Sequence, residues 1–129
     1  MLKLNYTDVG LHVEQMQAPL ETLIAQRVTL AMRLGHTLQV EVGLASMLLT
    51  AAHPDLPLLE AALRRETGGA GAIAPVDADC VEVSLCGTWL SDSPLAAEGT
   101  FFVALGDRTE HLLYHLWHSS QISMLPKIR

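Results

Sequence analysis

The chain has 129 residues, enough for one domain. Half are apolar, 17% are charged and mean hydropathy is positive, which excludes a disordered chain. Lys and Arg total 8 against 14 Asp and Glu; the net charge of −6 argues against nucleic acid, which needs clustered basic side chains.

The segment from Met1 to Asp8 alternates and reaches an acid before the apolar core of a signal peptide can form. The longest uncharged run, His111 to Pro126, holds three histidines and falls short of the roughly 18 residues that span a bilayer. These features predict a cytoplasmic protein away from membranes. Cys80 and Cys86 agree with that: six positions apart on one strand, they stand about 20 Å from each other. A disulfide needs Cα atoms within about 7 Å, so reduced thiols are expected.

Leu2, Leu4 and Tyr6 alternate with polar residues, as do Leu11 and Val13. Strands over 2–8 and 11–16 are therefore expected around a turn at Asp8-Val9-Gly10. Pro19 suits the first turn of a helix and Gly35 its C-terminal cap. Between them Leu20, Leu23, Ile24, Ala31 and Leu34 share one side, with Arg27 in the middle of that stripe. Thr37–Val42 reads as a strand that Gly43 bulges or ends. The following run, 44–50, fits a buried strand and a helical turn equally well. Asp55 before Leu56-Pro57 has the character of an N-cap, opening a helix that runs towards Glu66 and stops at Gly68-Gly69.

Residues 67–74 read as a flexible Gly/Ala-rich loop, lacking the lysine of a phosphate-binding loop. Residues 80–90 give the clearest strand, with Val81, Val83, Leu85 and Trp89 on one face. Ser91-Asp-Ser-Pro and an Ala-rich loop lead to an antiparallel strand over 100–105. Asp107 and Glu110 have capping-box spacing at the head of a helix to about Ser123, which Pro126 closes. The expected architecture is α+β over a single domain, 1–129. It has one antiparallel or mixed sheet of about five to six strands and about three helices mainly on one face.

Two stretches carry a resemblance. Ala31-Met-Arg-Leu-Gly-His-Thr-Leu-Gln-Val-Glu41 and Val81-Glu-Val-Ser-Leu-Cys-Gly-Thr-Trp-Leu-Ser-Asp-Ser93, with Glu98-Gly99 and Asp107-Arg108, resemble a small uncharacterised family associated with cyanobacterial genomes. The resemblance implies a cytosolic single domain and transfers no catalytic residue.

Candidate sites rest on residue chemistry. His111, His115 and His118 recur at i, i+4 and i+7, opposite Leu112, Leu113, Leu116, Trp117 and Met124. Imidazoles one turn apart, such as His111 and His115, can share a zinc ion at about 2.0–2.1 Å per bond, given a third ligand from elsewhere. The His-Glu-x-x-His pattern is absent, and a polar face without metal is the alternative. Arg27 keeps its charge when buried and so needs a carboxylate or an anion. Glu41 and Glu82, each between valines, are its candidate partners in a ligand-binding site. The alternative is a side-chain stem packed on the core with its head in water. Asp77, Asp79 and Glu82 read as turn and edge acids. No nucleophile sits in a recognisable elbow, and no cofactor is implied.

Two functions follow. One is a non-enzymatic interaction module, expected as a homodimer or with a protein partner. The other is a small-ligand or anion-binding domain, possible as an enzyme, which requires a pocket of at least about 300 Å³ with Arg27 facing it.

Overall fold

In the computed structural model, residues 1–66, 68–91 and 98–124 are described. The elements are β1 (Leu2–Thr7), β2 (Gly10–Gln15), α1 (Leu20–Arg33), β3 (Gln39–Thr50), α2 (Leu56–Arg64), β4 (Gly71–Pro75), β5 (Cys80–Ser91), β6 (Gly99–Val103) and α3 (Asp107–Met124). One sheet of six strands runs β2-β1-β6-β5-β3, with β4 also paired to β5. β1 pairs antiparallel with β2 and β6, and β5 with β4 and β6, so the fold is α+β as expected. The chain divides into two compact units, Met1–Leu44 with Cys86–Ala104 and Ala45–Leu85 with Leu105–Arg129.

In the first unit the Asp8-Val9 turn sets Thr7 opposite Gly10, whose φ of 126° lies where side chains rarely go. Thr7 Oγ1 accepts the Val9 N–H and donates to the Gly10 carbonyl. Leu2, Leu4, Val13, Phe101 and Val103 are all buried, and the register sets Leu4 beside both Val13 and Phe101. Helix α1 starts after Pro19 and ends at Leu34–Gly35, where Gly35 has φ 78°. It buries Leu23 against Leu90 and Phe102, with Leu20 and Ile24 partly buried beside them. Leu34, expected on that stripe, is instead 65% exposed.

Strand β3 continues through Gly43 to Thr50, so the ambiguous run 44–50 is strand. Its period of two appears in burial: Ala45, Met47 and Leu49 are inside, and Leu44 and Leu48 outside. Apolar residues on both faces hid that period in the sequence. Gly43 meets a covering side chain: a Cβ there would lie 2.8 Å from Trp89 Cδ1.

In the second unit Gly71–Pro75 forms β4, which corrects the expected loop over 67–74 for those positions. Gly71 is small because of packing: a Cβ would lie 2.7 Å from Leu63 Cδ2 and 3.1 Å from Leu85 Cδ2. Helix α2 ends at Arg64, before Gly68 and Gly69 at φ 80° and 65°. Helix α3 buries Leu113, Leu116 and Trp117. Glu110, expected to reach back to Asp107 in a capping box, reaches further upstream instead: its Oε2 accepts the Leu105 N–H at 2.9 Å, and Glu66 Oε1 accepts that of Gly106 at 2.9 Å. Ser120, fully buried, accepts the Thr50 N–H at 2.9 Å. The loop expected after Ser91, Thr67, the Met124 side chain and Pro126 lie outside the described residues.

Candidate functional sites

The main path of the sheet ends in β2 and β3, and β3 exposes a row of apolar side chains. Val40 is 45% exposed, Val42 84% and Leu44 70%, all on one face of β3. β3 is the last strand of the hydrogen-bonded order, so its outer edge has no neighbour among the described strands. Trp89 fastens the strand from inside: its Nε1 donates to the Leu44 carbonyl at 2.9 Å, while its ring packs on Tyr6 and Phe101. The same unit exposes Leu30, Met32 and Leu34 on and after α1.

Arg27 is half-buried and lines two cavities of the first unit. One, of about 250 Å³, is walled chiefly by Met16, Leu23, Leu30 and Phe102. The other, of about 220 Å³, is more polar and includes Asn5, Thr7, Ser91 and Glu98. Both fall below the 300 Å³ that the ligand-binding reading required. A larger concavity of about 600 Å³ is lined by α1 residues alone and does not include Arg27. Among the described residues Arg27 forms no ion pair; Glu41 is exposed on β3 and Glu82 half-buried on β5. Glu98, which sequence reasoning passed over, is the carboxylate that shares a cavity with Arg27, and it accepts the Asp8 N–H at 3.2 Å.

The histidines of α3 point outward, as their spacing implied: His111, His115 and His118 are exposed. His111 and His115 stack with centroids 6.5 Å apart, and His118 packs on Tyr114 at 4.4 Å. The side chains that converge with His115 come from the turn between β3 and α2. Donor atoms of His53, Asp55 and His115 all lie within 4.8 Å of one another. Asp55 occupies the N-cap position, yet its side chain makes no cap hydrogen bond. Its N–H donates instead to His53 Nδ1 at 3.0 Å. Sequence reasoning missed this set because it read Asp55 as a cap; the signal was a second histidine two residues before that aspartate.

The remaining candidates are turn chemistry. Asp77 Oδ1 accepts the N–H groups of Asp79 and Cys80 at 2.8 and 2.9 Å, closing the turn between β4 and β5. Burial, then the Asp77 and Asp79 carboxylates, push the Cys80 thiol above its usual pKa. Both cysteines are free, Cys86 being exposed.

The fold and these sites define a small α+β protein whose described residues contain no helix long and apolar enough to cross a membrane. The chain belongs to the Alr0857-like family, whose model matches residues 1–121. No curated protein and no solved structure matches it.

Proposed function

We propose that this chain is a cytoplasmic, non-enzymatic interaction module that pairs with a second copy of itself through β3. The row Val40, Val42 and Leu44 on an open sheet edge is the observation that carries this reading. An edge strand offers unpaired N–H and C=O groups, and soluble proteins ordinarily guard such strands with charge or proline. Here valine and leucine stand in alternation.

An antiparallel pair of β3 strands about a two-fold axis is self-complementary. Centred on Val42, it sets Val40 opposite Leu44 of the second copy and Glu41 opposite its Gly43, so no like charges face each other. A stable dimer buries about 1,200–2,000 Å² in total, more than five strand residues supply. Leu30, Met32 and Leu34 are the apolar surface in the same unit available to add to it. Native mass spectrometry on untagged protein tests the reading. A dimer that Val42→Lys converts to monomer is expected; a wild-type monomer at tens of micromolar overturns it.

A second reading, an anion- or carboxylate-binding domain with possible enzymatic activity, draws support from Arg27, which lines two cavities without an ion pair among the described residues. Glu41 and Glu82 remain its proposed flanking carboxylates. Thermal stabilisation by citrate or phosphate that disappears in Arg27→Gln is the outcome that would promote it.

A further inference from the structure

We infer that His53, Asp55 and His115 form a binding site for one divalent transition-metal ion of the zinc class, with the fourth coordination position left open. The inference rests on the second unit alone and does not depend on how β3 pairs. Two imidazoles and a carboxylate are a ligand set that zinc takes at about 2.0–2.2 Å per bond. Donors sharing such an ion in tetrahedral geometry stand about 3.3 Å apart, against a limit of 4.8 Å among these three. His115 is exposed and free to close that difference by rotation about its side-chain bonds.

The local fold explains why the three meet. β3 ends at Thr50, and the chain turns through His53-Pro54-Asp55 into α2. The Ala51 N–H donates to the Asp79 carbonyl and the Leu56 N–H to that of His53, which fixes the turn. α3 packs against α2 through its buried leucines and presents His115 on its exposed side, 6.0 Å from the His53 ring centroid and perpendicular to it. An aspartate at an N-cap ordinarily spends its carboxylate on the helix N–H groups. Asp55 does not, and its carboxylate is left for the imidazoles.

One hydrogen bond opposes loading. His53 Nδ1 accepts the Asp55 N–H, so in the neutral ring Nε2 carries the proton. Coordination through Nδ1 replaces that hydrogen bond. Coordination through Nε2 moves the proton to Nδ1 and sets it against the Asp55 N–H. Either route breaks the bond, and three ligands with this loss predict micromolar rather than nanomolar affinity.

The test is calorimetric titration of zinc chloride into untagged protein, with nickel as a second ion. One ion per chain is expected, weakened at least about ten-fold in each of His53→Gln, Asp55→Asn and His115→Gln and unchanged in His111→Gln. Long-range ¹H–¹⁵N spectra of the wild-type imidazoles guard against a variant that fails to fold: zinc must shift the ring nitrogens of His53 and His115 together. No binding below about 1 mM overturns the site. So does binding that survives His53→Gln and Asp55→Asn but is lost with His111→Gln, which would be adventitious capture by the α3 histidines.

Discussion

The strands that end the main path of the sheet, β2 and β3, handle the same problem in opposite ways. β2 turns His12, Glu14 and Gln15 to solvent and keeps Val13 buried, so anything pairing with it meets charge and polarity. β3 turns out Val40, Val42 and Leu44, with Glu41 as the charge between them. Polar side chains along an edge deter the addition of another strand, and an alternating apolar row invites it. β2 and the apolar first half of β3, through Leu44, belong to the same unit. The contrast therefore lies in side-chain choice, the level at which the proposed pairing through β3 is specified.

The largest expected effect comes from giving β3 the character of β2. Val42→Lys sets two ammonium groups against each other across the two-fold axis and should weaken self-association at least about 100-fold in sedimentation velocity, leaving the far-ultraviolet spectrum unchanged. The converse change, His12→Val with Glu14→Val, should create association where none is proposed. Oligomers beyond a dimer at high concentration would show that side-chain guarding is what keeps β2 unpaired.

A smaller effect is expected at Gly43. An alanine there must displace the Trp89 ring, since its Cβ would stand 2.8 Å from Cδ1. Crowding of this kind costs about 1–3 kcal/mol, read as a lower midpoint in urea together with weaker pairing, because the same ring holds Leu44. On the β2 side Gly10→Ala forces a side chain into φ 126° and should cost about 1 kcal/mol in the same assay while leaving the dimer intact.

The smallest effect is chemical. Cys80 should alkylate more slowly than the exposed Cys86 at pH 8, and Asp77→Asn should narrow the gap. The folded chain holds the Cys80 proton to higher pH than the unfolded chain does. Stability should therefore fall as pH rises from the ordinary thiol value through the folded one. Mass spectrometry of timed iodoacetamide reactions checks the rates, and urea midpoints check the slope.

Much of the fold was legible because local signals agreed with the tertiary structure. Pro19 and Gly35 bracket α1, the alternation of Val81, Val83 and Leu85 marks β5, and the acids at 107 and 110 head α3. What was hidden depended on neighbours distant in sequence. Gly71 looks like flexibility in a sequence and is a packing requirement against Leu63 and Leu85. The run 44–50 shows its period only once burial is known, because its outward positions carry leucine as well. Arg27 stood out as a charge on an apolar stripe, and the structure does set it beside cavities. Its acid neighbour there is Glu98, which no local pattern selects. The histidine stripe of α3 was visible by its spacing. The two residues that meet His115 were not, since a turn between a strand and a helix has no periodicity to read.

The indole that fastens β3 also makes the molecule its own gauge. Trp89 is one of two tryptophans, and Trp117 is buried in the second unit, so a change in light emission confined to the more accessible ring reports on the sheet edge. In the proposed dimer the surroundings of that ring should lose water, and its emission should move towards the blue. Dilution should reverse the shift, and the colour of the fluorescence alone would then follow assembly with no label attached.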